Sequence, residues 1–365
     1  MAQLKTVTIK GFKSIRSLEG FELRSLNVLI GPNGAGKSNF IGALRFLSEV
    51  AGENFPGYVQ KQGKAAALLH GGRKRTQVME FEVYGQPTGE FRNGYLISLE
   101  ATNDNRLVFT REQTWVAGSM TSGTKYSLGR NHEEALIRTA DDSVGKYVRS
   151  MMRSWRQYHF HDTGDLAAVK QPHSARDTLR LKTDAGNLAA YLGKLREKHT
   201  RHYDQIVETV RLVAPFFGDF VQRDDADDTV ELEWTQRSDP DTPYGANALS
   251  DGTLRFICLA TLLLQPLSLL PDTVLIDEPE LGLHPYAIGV LADMLKQVAE
   301  SRQLIVSTQS VELLNAFAPE DVVVVDRTEE ESTFRRLTND ELAGWLESYT
   351  PLGELWLRNI LGGRP

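Results

Sequence analysis

The chain has 365 residues, of which 41% are hydrophobic and 24% charged, and a formal net charge of −7. That length can bury one large core or two ordinary ones. The acidic balance excludes a globally basic nucleic-acid binder, so any such contact must come from a local patch. One cysteine, Cys258, excludes an intramolecular disulfide and suits a reducing compartment; within the apolar stretch from Phe256 to Leu264 it reads as a small buried hydrophobe. Lys5 and Lys10 have no apolar run between them, unlike a signal peptide, and Leu259 to Ile276 is broken by Pro266 and Pro271, too interrupted to span a bilayer. The expectation is a cytoplasmic protein with no membrane contact.

In chain order, Val7 and Ile9 alternate with polar residues, and Leu26 to Ile30 is a short apolar run, so both segments are predicted strands. The second enters a Gly-rich loop, followed by a helix from about Lys37 to Glu49 with Phe40, Leu44 and Leu47 on one face. Leu96–Glu100 and Arg106–Thr110 read as strands joined by a turn at Asn103-Asp-Asn105, and residues 111–135 as a loop-rich excursion. Helices are predicted from about Asp142 to Arg156 and from Ala185 to Val213, too short and too irregular for a coiled-coil arm. Phe217–Gln222 and Thr229–Thr235 read as a hairpin around the acidic turn Asp224–Asp228. From Gly252 onward helix and strand alternate: helix Leu254–Leu264, strand Thr273–Ile276, helix Tyr286–Glu300, strands Leu304–Ser307 and Val322–Val325. That alternation predicts an α/β layer with a mostly parallel sheet.

Gly31-Pro-Asn-Gly-Ala-Gly-Lys-Ser38 matches G-x-x-x-x-G-K-[S/T] throughout. Glycines let the backbone curl so that its N–H groups face a phosphate, and the following helix offers its positive N-terminus to the same anion. Lys37 is expected to reach the β- and γ-phosphates of ATP, and the Ser38 hydroxyl to ligate Mg²⁺. Thr273-Val-Leu-Ile-Asp277-Glu278 is an apolar strand ending in two carboxylates: Asp277 is expected to hold the metal through water, and Glu278 to take a proton from the attacking water. The two motifs are far apart in sequence, so a long insertion splits the nucleotide fold. Leu249-Ser-Asp-Gly-Thr-Leu-Arg255 places Ser250 and Gly252 where a loop enters a helix, a second anion site. One chain cannot easily wrap both around one ATP, whereas two chains facing head to tail can.

Together GPNGAGKS, LSDGTLR and LIDEPELGLHP resemble the ABC-type ATPase heads of the SMC/RecF/OLD class, as does Ile9-Lys-Gly-Phe-Lys-Ser14 ahead of the loop. The resemblance is strong over 1–48 and 245–325 and weak over 49–240, and the segments Leu352-Gly-Glu-Leu-Trp356 and Gly362-Gly-Arg-Pro365 look like a bacterial group of stand-alone ATPases in that class. It implies a P-loop NTPase fold of class α/β, with a mostly parallel core sheet, an antiparallel β lobe and a helical insertion. The implied organisation is 1–48 and 245–365 as the two parts of the head, 49–140 as a β-rich lobe with a loop excursion, and 141–244 as a mainly helical insertion ending in a hairpin.

Carried over residue by residue, the resemblance assigns Asn33, Gly34, Ala35, Gly36, Lys37, Ser38 and Asn39 to the nucleotide, Ser250 and Gly252 to the partner's nucleotide, Ser38 and Asp277 to Mg²⁺, and Glu278 to catalysis; Lys13 is a further candidate for the phosphates. The class usually has His where this chain has Gln309, in Val306-Ser-Thr-Gln-Ser310; Gln can donate a hydrogen bond but carries no charge, which implies slow, switch-like hydrolysis. The Gln that contacts the metal in such heads has two candidates, Gln62 and Gln77. The partners implied are a homodimer or higher oligomer in the ATP-bound state, a separately encoded effector such as a nuclease, and DNA or RNA through the insertion, in DNA repair or anti-phage defence. The stretch after Ser310 is short and shows no acidic nuclease set of its own.

Three basic groups could track a phosphate backbone or simply be solvated: Arg73-Lys-Arg75; Arg149, Arg153 and Arg156; and Lys194, Arg196, Lys198 and Arg201. His159-Phe-His161-Asp162 reads as hydrogen-bonded histidines rather than a metal site, and His284 as a structural residue near the dimer seam. Two other functions remain open: an ATP-holding sensor that rarely hydrolyses, and a transporter ATPase subunit, against which the insertion, Asp251 and Gln309 speak.

Overall fold

The computed structural model describes residues 3–87, 89–118, 123–223, 228–347 and 350–363. The largest sheets each have six strands. One is built from β1 (Leu4–Phe12), β2 (Ile15–Glu22), β4 (Val78–Gly85), β5 (Phe91–Ala101), β6 (Leu107–Gly118) and β7 (Thr124–Gly129), antiparallel in the order β2-β1-β4-β5-β6-β7. The other uses β3 (Leu26–Ile30), β8 (Trp155–Tyr158), β14 (Thr273–Asp277), β15 (Gln303–Thr308), β16 (Val322–Arg327) and β17 (Ser332–Arg336) in the order β17-β16-β3-β15-β14-β8. All its pairings are parallel except that of β17 with β16. Two smaller sheets join β10 (Phe217–Phe220), β12 (Glu233–Gln236) and β13 (Asp239–Gly245), and β9 (His173–Ser174) with β11 (Thr229–Val230).

The parallel sheet is a wall between two cores. Successive side chains of a strand point to opposite faces, and here Val28, Ile30, Val274, Ile276, Leu304 and Val306 enter one core while Leu29, Leu275, Ile305, Val323 and Val325 enter the other. Strands buried on both faces read as unbroken apolar runs, which is why β3, β14 and β15 are legible at nearly their full length. The first core is closed by α5 (Leu188–Lys198), α6 (Thr200–Val213), α7 (Asp251–Leu264) and α8 (Pro285–Ala299). Cys258 lies there as expected, its thiol pushed up to about 12 by burial. The second core holds α1 (Lys37–Val50), α4 (Ser143–Arg153) and one face of the antiparallel sheet. Phe46 of α1 is its aromatic hub, 5.5, 5.2 and 5.1 Å from the rings of Phe12, Phe55 and Phe81.

Several expectations need correction. Residues 111–135 are not mainly loop: β6 runs on to Gly118 and β7 follows. Fully buried Glu112 and Thr114 interrupt the apolar alternation and hide the strand from sequence reading. Glu112 is satisfied there, accepting hydrogen bonds from Tyr95 Oη at 2.7 Å and from the amides of Leu136 and Ile137 at 2.8 Å. The helix from Asp142 stops at Arg153, and Trp155–Tyr158 becomes the edge strand beside β14, where tertiary pairing takes over from helical spacing. The helix expected over 185–213 begins at Leu188 and divides at His199, whose φ of −141° is not helical. In the predicted hairpin, Phe217–Phe220 does pair with Glu233–Gln236, but Thr229–Val230 pairs instead with His173–Ser174; most of the acidic turn lies outside the described residues.

Candidate functional site

Five parallel strands deliver their carboxyl ends to one edge of the wall, the place where open α/β sheets bind ligands. β3 runs into the loop Gly31–Ser38, β14 ends at Asp277, β15 leads to Gln309, β8 leads to His159, and β16 ends at Arg327. The register sets Asp277 opposite Ser307.

The loop's glycines have steric reasons. Gly31 at φ +152° has the Val325 carbonyl oxygen where a side chain would begin. Gly36 at φ +120° has the Ser332 hydroxyl there, and Gly34 at φ +77° faces open space. These left-handed conformations favour residues without Cβ. Around Gly36 the Ser332 hydroxyl donates to the Ala35 carbonyl at 2.5 Å and accepts from Ser14 Oγ at 2.7 Å, and Asn39 Nδ2 donates to Ser14 Oγ at 2.7 Å. Arg327 Nη1 donates to the Gly34 carbonyl at 3.0 Å. Lys37 is buried and donates to the Gly31 and Pro32 carbonyls at 2.6 and 3.2 Å. Burial lowers its pKa, opposed by the charges of Glu278, Asp277 and Glu280. Asn33 and Ser38 are exposed at the loop surface.

Across from the loop, Ser307 Oγ donates to Asp277 Oδ1, and Gln309 Nε2 donates to Glu278 Oε1. Glu278 has φ +45°, rare for a residue with a side chain, and its amide donates to the Ser307 carbonyl at 2.9 Å. Glu280 accepts from Thr308 Oγ1 at 2.6 Å and from the Gln309 amide at 3.1 Å; its other oxygen, Oε2, is buried without a partner. Burial raises the Glu280 pKa despite these donors.

Of the residues singled out in the sequence, Lys37, Asp277, Glu278 and Gln309 thus converge. Ser250 and Gly252 interact elsewhere. Ser250 caps α7, its Oγ accepting from the Thr253 amide at 3.2 Å and lying 2.8 Å from Thr253 Oγ1, while Gly252 packs against Gly282. Lys13, at φ +46°, holds its ammonium 5.5 Å from the centre of the Phe12 ring; burial and Arg45 lower its pKa. Gln62 caps the short helix Phe55–Lys61 and Gln77 precedes β4, so neither follows the strand beside β14. His159 and His161 do. His161 Nε2 donates to the Asp277 carbonyl at 2.8 Å, and burial followed by Arg45 lowers the His159 pKa. No group of three or more His, Cys, Asp or Glu among the described residues could hold a metal by itself.

Sequence reasoning missed Ser14, Ser332, Glu280 and Arg255. Arg255 binds the carbonyls of Phe160 at 2.9 Å, His161 at 3.0 Å and Leu281, fastening α7 to the segments after β8 and β14. Its place at the end of LSDGTLR was visible; its partners were not. The basic groups are largely engaged: Arg149 donates to the Arg138 and Ala140 carbonyls, Arg153 to Ala51, Lys194 to Thr178 and Leu179, and Arg73 to Asn103. Arg75 pairs with Glu330, and Arg196 with Asp219. His284 caps α8, accepting from the Tyr286 amide at 3.3 Å.

A family model described as "AAA domain, putative AbiEii toxin, Type IV TA system" matches residues 26–315. The chain belongs to this AAA-domain family. Its fold is that of an SMC head. It is similar to a Pyrococcus furiosus Smc head domain with an extended coiled coil bound to the C-terminal domain of ScpA, at TM-score 0.62 and 15% identity over 96% of this chain and 100% of that one. It is similar also to an SmcHead bound to the C-winged helix domain of ScpA, at TM-score 0.58 and 14% identity over 94% and 99% of the two chains. In sequence, 56 residues are 46% identical to the chromosome partition protein Smc of Desulfitobacterium hafniense (strain Y51), a match covering 15% of this chain and 5% of that protein. No helix among the described residues is long and apolar enough to cross a membrane.

Proposed function

We propose that this protein binds ATP with Mg²⁺ at the loop Gly31–Ser38, hydrolyses it slowly, and uses the bound state to join two copies head to tail. The observation that carries the reading is the meeting of Lys37, Asp277, Glu278 and Gln309 at one edge of the parallel sheet. The donor set fits the cofactor: a buried ammonium beneath a glycine loop suits a polyphosphate, and a hydroxyl with a carboxylate suits a hard cation. Ser38 and Asp277 would hold the Mg²⁺, whose positive charge offsets that of the phosphates. Lys37 orients the phosphates, and Ser307 holds the Asp277 carboxylate through its hydroxyl. Glu278 accepts a proton from water at its carboxylate, and Gln309 fixes that carboxylate by a neutral hydrogen bond. This tether orients the base without adding positive charge, consistent with slow turnover.

Ser250, exposed at the N-terminus of α7, supplies the donor end expected to face a second copy's nucleotide. Sedimentation of Glu278→Gln with ATP tests the reading: we expect turnover to fall about 100-fold or more while a nucleotide-dependent dimer accumulates. A monomer under all conditions would sink the head-to-tail arrangement. Equal slow turnover in wild type and variant, both dimeric with ATP, would favour the sensor reading that the Gln309–Glu278 bond also suits.

A further inference from the structure

The segment Leu352–Gly363 has no part in the chemistry above, yet it reaches the phosphate loop. Its helix α11 (Leu352–Leu357) packs on α9 (Val311–Leu314), the short helix that begins just after Gln309 and Ser310. The contact is close: the Gly353 amide donates to Asn315 Oδ1 at 2.7 Å, and a Cβ on Gly353 would stand 2.5 Å from Val311 Cγ1. Asn359 at φ +58° and Gly362 at φ +77° then turn the chain back beneath the end of β16. There the Leu361 carbonyl accepts from Arg335 Nη2 at 2.7 Å, the Gly363 amide donates to Asp326 Oδ2 at 3.2 Å, and the Gly363 carbonyl accepts from the buried Trp356 Nε1 at 2.5 Å. Gly363, at φ +58°, lies against the first residue of the loop: a Cβ on it would stand 3.4 Å from Gly31 Cα, 3.3 Å from the Val325 carbonyl oxygen and 2.8 Å from Val324 Cγ1.

We infer that Leu352–Gly363 is a positioning element of the nucleotide site, a brace that sets the height of Gly31 and ties the phosphate loop to the helix behind Gln309. Gly31 has the Val325 carbonyl oxygen where its side chain would begin, and Gly363 lies against both that oxygen and Gly31 Cα, so a displacement of Gly363 is transmitted to the loop backbone. The loop's N–H groups bind phosphate only if their directions are fixed beforehand. Trp356 anchors the brace from within the core.

The inference rests on the nucleotide reading above, and the test separates the two. Binding of a fluorescent ATP analogue with Mg²⁺ is measured for wild type, Gly363→Val, Trp356→Phe and Gly344→Ala, alongside the melting temperature of each without nucleotide. Gly363→Val places a branched side chain at a left-handed φ beside Gly31. Trp356→Phe removes the N–H bond to Gly363 together with part of the buried indole, without introducing a new group beside the loop. Gly344→Ala, in open space on a surface helix, is the control. We expect Kd to rise about 10-fold, near 1.4 kcal/mol, for Gly363→Val, to rise about 3-fold for Trp356→Phe, and to stay unchanged for Gly344→Ala, whose melting temperature stays close to wild type while strain and lost packing lower those of the other two. If Gly363→Val fails to fold, Trp356→Phe decides. Unchanged Kd, with or without a lowered melting temperature, would reduce the segment to ordinary packing and overturn the inference. Failure of the wild type to bind would instead sink the nucleotide reading itself.

Discussion

Two buried carboxylates, Glu112 in the antiparallel sheet and Glu280 at the edge of the parallel sheet, are satisfied to different degrees. In the antiparallel sheet the buried Glu112 is closed off: Tyr95 and two amides occupy its carboxylate, and no orphan atom is left on it. At the edge of the parallel sheet polarity is left incompletely satisfied. Glu280 keeps a buried oxygen without a partner, Lys37 is a buried cation resting on loop carbonyls, and Glu278 sits at a strained φ. A satisfied buried group contributes stability, whereas an underused one is a reserve for a ligand. The difference predicts which substitutions act on folding and which on binding.

The largest effect sought is complete loss. Lys37→Ala should abolish ATP binding by titration calorimetry while leaving the melting temperature of the nucleotide-free protein equal or higher, because a buried cation is removed. A large drop in stability would place Lys37 on the structural side of the comparison. Glu112→Ala is the mirror experiment. It orphans three donors in a fully buried site and should cost about 3–5 kcal/mol in denaturant unfolding, with ATP affinity of the folded fraction unchanged. Gln309→His adds a titratable group beside Glu278 and should raise turnover by about 10-fold with little effect on stability; an unchanged rate would show that Gln309 does not limit hydrolysis.

The smallest effect is a pH dependence. Burial raises the Glu280 pKa above that of an unfolded carboxyl, so the folded state holds its proton to higher pH. The stability this contributes is full below about 4.3 and is lost as pH rises through the folded value. Glu280→Gln cannot lose that proton. The variant should therefore melt about 2–4 °C above wild type at pH 8, and the gap should close towards pH 5. A gap that widens on acidification would reverse the assignment.

The same contrast explains what was legible in the sequence. Strands buried on both faces, such as Val274–Ile276, announce themselves as apolar runs, and the residues at their ends inherit a position. That made Lys37, Asp277, Glu278 and Gln309 readable as one group. β6 was cut short because Glu112 and Thr114 occupy inward positions. The first half of β8 was read as the end of a helix because only its neighbour β14 makes it a strand, and with it went the placement of His159 and His161 beside Asp277. Ser14 and Ser332 were invisible for a simpler reason: each is an ordinary serine until the fold joins them across the loop.

That joining has a consequence for how the protein is made. The phosphate loop is synthesised early, but β3 is paired on one side with Gln303–Thr308 and on the other with Val322–Arg327, and the Ser14–Ser332 bond closes over 318 residues. Contacts of such long range form late in folding. A nascent chain on the ribosome therefore carries the loop's sequence well before it has the neighbours that shape it. On the proposed function, nucleotide capture should therefore follow translation through Ser332, and a truncated product lacking that region is expected to give no ATP binding by titration calorimetry rather than to behave as a constitutively loaded fragment.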